Sequence, residues 1–167
     1  MNTENIIKKV NQCFKNSILY PSLIMIGLMI IFSIVDNYDY KSEWFTADAW
    51  IFISIITAII YSLIIGLLSL PIFLNKIKRI RKNLFLRILS WFLFPYGFIT
   101  IVFIHEVRFN IKYSEYNING HITSNELKFE NDFLYLLILN IPFIIGLIWG
   151  FLSFSNFLKE NRLSSAT

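Results

Sequence analysis

The dipeptide His105-Glu106 comes nearest to a known catalytic pattern. In the zinc-protease motif HExxH, two histidines one helical turn apart bind the metal and the glutamate acts as general base. The position of the second histidine is occupied here by Phe109. The remaining soft ligands are His121 and the single cysteine, Cys13, which are too few for an ordinary zinc site. We therefore predict no metal site and no cofactor, and we interpret His105 as a polar residue at a helix end.

Acid–base or nucleophilic catalysis inside a membrane requires buried ionisable groups, which are costly there and mark functional sites. The interiors of the apolar segments of this sequence contain no ionisable residues. Those nearest to the segments fall near their ends, namely Arg87, His105, Glu106 and Asp132. The serines of these segments have no base close to them in sequence, as a serine nucleophile would need. We therefore expect no catalytic residues and no enzymatic activity, and we do not expect a proton-coupled carrier or a voltage sensor.

The elements that carry these residues are long apolar segments. The chain of 167 residues is 56% hydrophobic and only 16% charged, and a membrane-crossing helix needs about 20 apolar residues. We predict an all-α membrane protein with one domain, residues 1–167, built as a four-transmembrane-helix bundle. The transmembrane helices are predicted at residues 18–35, 50–74, 84–105 and 133–158.

Two further elements are predicted outside the spans. In residues 3–17, Ile6, Val10, Cys13 and Phe14 recur at helical spacing among polar residues, which predicts an amphipathic helix lying in the membrane interface. Residues 106–132 are predicted to form a small extracytoplasmic cap. Within it, Asn119-Gly120 is a hairpin signal and residues 123–126 (TSNE) form a capping box that opens a short helix.

The connecting segments differ in charge. The N-terminal arm, the second loop with Arg87, and the C-terminal tail contain eleven basic and two acidic residues, a net charge of +9. The two other loops contain four basic and nine acidic residues, a net charge of −5. Cytoplasmic loops carry the excess of lysine and arginine. We therefore predict a multi-pass protein of the bacterial inner membrane with both termini in the cytoplasm.

The second loop, residues 75–83, reads NKIKRIRKN and is the main candidate binding segment. Anionic lipid headgroups are one partner, since each cation near the membrane surface contributes about 1 kcal/mol. A nucleic acid is the other, but such patches interleave aromatic side chains that stack on bases, and only Ile77 and Ile80 stand between these cations. The pattern favours lipid. The candidate residues are Lys76, Lys78, Arg79, Arg81, Lys82 and Arg87.

Small residues at every fourth position predict close helix packing in two of the spans. The second span carries Ser54, Ala58, Ser62 and Gly66, and the fourth carries Gly146 and Gly150 in a GxxxG motif. Whether the partner helix belongs to the same chain or to a second copy is left open by the pattern.

Three intramembrane positions are expected to disturb or cross-link helices. Pro95 lies near the middle of the third span, where proline removes a hydrogen bond and kinks a helix. Asn140 precedes Pro142 in the fourth span. The amide of Asn140 is expected to bond another helix or the backbone carbonyl that Pro142 leaves free.

The four-span layout around the basic segment NKIKRIRKN resembles, in architecture, small membrane accessory proteins encoded beside type VI-B CRISPR nucleases, and it is similar to polytopic toxin-immunity proteins of bacteria. The resemblance implies a non-enzymatic protein of bacterial defence that acts through protein–protein contacts. The resemblance to the CRISPR accessory proteins implies that the basic loop contacts the RNA-guided nuclease or its RNA. The alternative is a subunit of a homo-oligomeric pore, or a membrane-perturbing effector, that uses the small-residue faces between protomers.

Overall fold

The computed structural model of the chain describes residues 3–36, 47–116 and 123–163, and their regular elements are all helical. Five α-helices and one 3-10 helix follow in order. They are α1 (Thr3–Asp36), α2 (Ala47–Leu68), the 3-10 helix (Leu70–Lys76), α3 (Lys78–Lys82), α4 (Leu84–Tyr116) and α5 (Thr123–Leu163).

Four helical stretches are long and apolar enough to cross a membrane, as the sequence predicted. They are Thr3–Val35, Ile51–Lys76, Leu84–Glu106 and Leu134–Asn161. Helix α1 packs against both α5 and α2, and α4 packs against α5 and the 3-10 helix. The core between them includes Met25, Met29, Phe143 and Leu147, which are fully or almost fully buried.

Besides its apolar core, the bundle has large apolar side chains exposed on its outer surface and several polar side chains buried inside. Leu63, Ile101 and Trp149 are 62%, 67% and 68% exposed, and similar side chains cover each of the four long helices. An exposed apolar surface of this extent is not typical of water-soluble monomers. The buried polar residues of the described ranges include Ser17, Ser33, Ser54, Ser69, Asn75, Ser90 and Asn140.

Helix α1 covers both the interfacial helix predicted at residues 3–17 and the span predicted at 18–35. The helix is continuous over both stretches, with Pro21 inside it. Ile6, Val10 and Cys13 are buried in the hydrophobic core cluster of the protein. The apolar stripe of the arm is thus covered by the protein's own helices.

The predicted loop at residues 106–132 is also largely helical. Helix α4 continues to Tyr116 and α5 begins at Thr123, where the capping box predicted a helix start. Continuing a helix beyond the apolar segment keeps backbone groups paired that a loop would have to satisfy otherwise. At ~1.5 Å per residue, α5 is about 60 Å long and exceeds a ~30 Å hydrocarbon layer. The predicted hairpin at Asn119-Gly120 lies outside the described residues.

The N-terminal part of α1, the 3-10 helix and the C-terminal part of α5 meet at one end of the bundle. The rings of Phe14 and Phe73 are 4.8 Å apart, and the Lys9 ammonium lies 5.9 Å from the centroid of the Phe157 ring. We call this end, which also carries residues 75–83, the basic end.

Candidate interaction site at the basic end

The backbone between α2 and α4 makes two sharp changes of direction. Ile77 and Asn83 both adopt extended conformations and separate α3 from the 3-10 helix on one side and from α4 on the other. Asn83 caps α4, because its Oδ1 accepts hydrogen bonds from the amides of Phe85 at 2.9 Å and Leu86 at 3.3 Å. The cap fixes the point at which α4 begins and the direction from which α3 joins it.

Asn75 attaches this segment to the bundle. Its side chain is fully buried, and its Nδ2 donates to the Ile72 carbonyl at 2.8 Å and to Ser90 Oγ at 2.7 Å. The Ser90 hydroxyl in turn donates to the carbonyl of Arg87 at 2.8 Å. This chain of bonds from the Asn75 amide nitrogen connects the 3-10 helix to α4.

Three of the six candidate cations make contacts within the fold. Arg81 Nη1 donates to the Lys76 carbonyl at 3.2 Å, and Arg87 Nη1 donates to the Arg81 carbonyl at 3.4 Å. The Arg87 guanidinium also lies 5.6 Å from the centroid of the Phe151 ring, and the Lys76 ammonium lies 4.6 Å from that of Phe73. Partial burial lowers the pKa of the Arg81 guanidinium, which is nevertheless a cation at neutral pH. The contacts of Lys76, Arg81 and Arg87 thus hold the segment in its conformation.

The other three cations, Lys78, Arg79 and Lys82, have exposed side chains. Their spacing places them on one side of α3, since residues four apart on a helix are neighbours. We call these three residues the cationic face. Exposed apolar side chains flank it, with Ile77 before α3 and Phe85, 66% exposed, at the start of α4. Cations next to exposed apolar groups are typical of a segment at a membrane surface.

The glycines of α5 lie against α1 of the same chain. A Cβ atom added at Gly146 would meet Cγ of Pro21 and would lie 2.8 Å from the carbonyl oxygen of Ser17. Pro21 has no N–H to donate to that carbonyl, which is therefore free to face α5. A Cβ atom added at Gly150 would meet Ser17 Oγ and would lie 2.8 Å from Cζ3 of Trp91.

The small residues of α2 are less tightly enclosed. Ser54 and Ala58 are buried, whereas Ser62 and Gly66 are partly exposed. A Cβ atom added at Gly66 would lie 3.6 Å from Cγ2 of Ile18, which is an ordinary van der Waals contact. The Ser62 hydroxyl donates to the Ala58 carbonyl of its own helix at 2.8 Å.

Asn140 joins α5 to α2 through a buried hydrogen bond, in which the Tyr61 hydroxyl donates to Asn140 Oδ1. The Asn140 amide donates to the Leu136 carbonyl at 2.7 Å, which is not the carbonyl that Pro142 leaves free. Both Pro142 and Pro95 are buried inside helices that continue through them. The Tyr96 hydroxyl, next to Pro95, donates to the Ile144 carbonyl of α5 at 3.3 Å.

His105 is exposed near the end of the apolar part of α4, and His121 lies outside the described residues. Within the described ranges, no three histidine, cysteine, aspartate or glutamate side chains are grouped closely enough to hold a metal ion.

Four residues that make these contacts, Asn75, Asn83, Ser90 and Tyr61, were not singled out from the sequence. Asn83 stands directly before an apolar segment, which is a recognised helix-start signal that would have identified it. Asn75 and Ser90 are brought together only by the fold, and so are Tyr61 and Asn140, which lie 79 positions apart. Local sequence carries no signal for such pairs.

Comparisons with protein-family models, with curated proteins and with solved structures find no match for this chain.

Proposed function

We propose that the protein is a multi-pass protein of the bacterial inner membrane whose basic end lies in the cytoplasm. The observation that supports this location is the large number of apolar side chains exposed on the outside of the bundle, combined with the charge difference between its connecting segments. Lysine- and arginine-rich segments are retained on the cytoplasmic side. Both termini are then cytoplasmic, and the cationic face lies at the inner surface of the membrane.

The protein acts, in this proposal, through contacts and not through catalysis. The cationic face binds anionic lipid headgroups and presents a rigid basic surface to a protein partner in the cytoplasm. This role is supported by the different environments of the six cations. Lys76, Arg81 and Arg87 make contacts within the fold, whereas the cationic face is exposed. An accessory or immunity-type role in bacterial defence, which the architectural resemblance implies, is the form of contact function that we propose.

The packing of α5 favours contact function over the pore alternative. A homo-oligomeric pore would use the small-residue faces between protomers, but Gly146 and Gly150 lie against α1 of the same chain. Asn140, a buried polar residue of the fourth span, is likewise bonded to Tyr61 inside the bundle.

The location is tested by replacing Lys78 with cysteine and labelling intact and permeabilised cells with a membrane-impermeant maleimide. Cys13 is buried, so the unsubstituted protein measures the background. We expect labelling of Lys78→Cys only after permeabilisation. Labelling in intact cells would place the basic end outside and contradict the proposed orientation.

The contact function is tested by affinity purification in mild detergent from the native host. A variant with glutamine at Lys78, Arg79 and Lys82 is compared with one that has glutamine at Lys8, Lys15 and Lys159, which are also exposed. Both variants lose the same charge. We expect a heteromeric partner that is lost only from the first variant. A ring-shaped homo-oligomer without a partner would support the pore alternative.

A further inference from the structure

A groove of about 420 Å³ lies between the start of α1 and the outer face of α5. On the α1 side it is lined by Lys9, and on the α5 side by residues that include Trp149, Leu152, Asn156, Phe157 and Glu160. The α5 residues stand at positions i, i+3, i+4, i+7, i+8 and i+11 from Trp149, so they form a single stripe about 16 Å long. The volume falls within the ~300–1,000 Å³ range of small-molecule sites.

The polarity of this groove changes along its length. Trp149 and Leu152, both mostly exposed, line the part that is deeper in the apolar span. Lys9, Asn156 and Glu160 line the part at the basic end. A ligand that follows the groove must therefore be apolar at one end and polar at the other, as a membrane lipid is.

The polar part of the groove offers one cation and one anion. Lys9 is partly buried, and its ammonium is positioned over the ring of Phe157. Glu160 also lines the groove and is exposed. These two described side chains form no ion pair with each other, so each charge is available to a ligand.

We propose that this groove binds one phospholipid whose headgroup contains a phosphate and a protonated primary amine, as in phosphatidylethanolamine. The phosphate accepts from the Lys9 ammonium, the amine donates to the Glu160 carboxylate, and an acyl chain lies along Leu152 and Trp149. This inference rests on the membrane location proposed above. It concerns a different surface from the cationic face, whose three cations attract any anionic lipid.

The pair of charges predicts selectivity among headgroups. A phosphatidylcholine headgroup has a quaternary ammonium without an N–H, so it cannot donate a hydrogen bond to Glu160. A phosphatidylglycerol headgroup has a net negative charge, which Lys9 attracts. This headgroup contains no cation that could bind the Glu160 carboxylate. The ethanolamine headgroup satisfies both residues at once.

The test uses the fluorescence of Trp149 in the full-length chain with phenylalanine at Trp44 and Trp50. The one other tryptophan, Trp91, is fully buried and supplies a constant background. The protein is reconstituted into phosphatidylcholine vesicles in which an equal fraction of lipid has dibrominated acyl chains and an ethanolamine, glycerol or choline headgroup. Bromine quenches tryptophan on contact, so the extent of quenching reports which lipid occupies the groove.

We expect the ethanolamine lipid to associate with Trp149 about three-fold more strongly than the choline lipid, as one partly exposed ion pair would produce. Glu160→Gln should remove this preference. Lys9→Gln should weaken quenching by all three lipids, because each contains a phosphate, whereas Lys159→Gln, at an exposed neighbour outside the groove lining, should change neither. Equal quenching by all three lipids, or a preference that survives Glu160→Gln, would overturn the groove proposal and leave the membrane location standing. Absence of quenching by every brominated lipid would contradict both.

Discussion

Helices α5 and α2 both carry small residues at every fourth position, and the structure uses the two faces differently. At Gly146 and Gly150, α1 approaches so closely that a methyl group would overlap a proline ring, a backbone carbonyl or a serine side chain. At Gly66, the same methyl group would make an ordinary contact with Ile18. The same sequence pattern therefore marks a position where glycine is required and one where it is merely tolerated.

The physical basis of this difference is the absence of a hydrophobic drive between helices in lipid. Close packing and buried hydrogen bonds must hold the helices together instead. The α1–α5 contact relies on backbone approach at two glycines, whereas the contact of α2 with the rest of the bundle includes the Tyr61–Asn140 hydrogen bond and aromatic packing of Tyr61 on Phe98 and Phe143.

The largest effect is expected from Gly146→Ala. The groups that the new methyl would meet are the Pro21 ring and the Ser17 carbonyl, and neither can rotate away. We expect a loss of about 3 kcal/mol in the free energy of unfolding, at the upper end of the cost of overpacking. Reversible unfolding in mixed detergent micelles measures this quantity. A cost equal to that of Gly97→Ala, where the new methyl would meet nothing within 4 Å, would contradict close packing at Gly146.

Gly150→Ala is expected to cost about 2 kcal/mol, because its methyl would meet the Ser17 side chain and Trp91. Ser17→Ala removes the nearer obstacle. On its own it should be close to neutral, since the Ser17 hydroxyl has no hydrogen-bond partner in the described part of the chain. In the double variant we expect about 1 kcal/mol of the loss to be recovered. If the free-energy changes of Gly150→Ala and Ser17→Ala simply add, the side chains at these two positions are not in contact.

The polar link between α2 and α5 is expected to be weaker than the glycine contact. In a double-mutant cycle with Tyr61→Phe and Asn140→Leu, the coupling should be about 0.6–1.7 kcal/mol, the range for hydrogen bonds between membrane helices. The same unfolding assay measures it. A coupling near zero would mean that the two side chains do not exchange a hydrogen bond in the membrane.

Gly66→Ala should have the smallest effect. The added methyl fits beside Ile18, and alanine is favoured over glycine in a helix by up to about 1 kcal/mol. We expect the free energy of unfolding to be unchanged or slightly increased. Destabilisation as large as that of Gly150→Ala would remove the distinction between the two faces.

The four spans were predictable because a run of about 20 apolar residues leaves few alternatives to a membrane helix. The limits of the helices were less predictable. The spacing of Ile6, Val10 and Cys13 shows that an apolar stripe exists but not whether lipid or protein covers it, and neighbouring Phe14 meets Phe73, almost 60 positions away. Likewise, polar residues after Glu106 were read as a loop, although a helix can continue through them.

The basic segment was identified by its composition, but the separate roles of its cations were not. Lys78 and Arg81 are alike in the sequence, yet one is exposed and the other bonds the backbone of Lys76. This division depends on the extended conformations of Ile77 and Asn83, which set the direction of a helix of only five residues. Replacing all the cations together would therefore mix loss of surface charge with loss of structure.

The most direct test of the bundle is a disulfide between α1 and α5 in the membrane. With cysteines at Ser17 and Gly150 and alanine at Cys13, the two Cβ positions are 3.2 Å apart, slightly closer than the ~3.5–4.5 Å usual in disulfides, so a small outward shift of α1 brings them to bonding distance. Oxidation of native membranes that contain two differently tagged copies should give an intrachain bond and no mixed-tag product. Disulfide-linked pairs of the two tags would show that the glycine face of α5 meets a second copy, and would contradict the account.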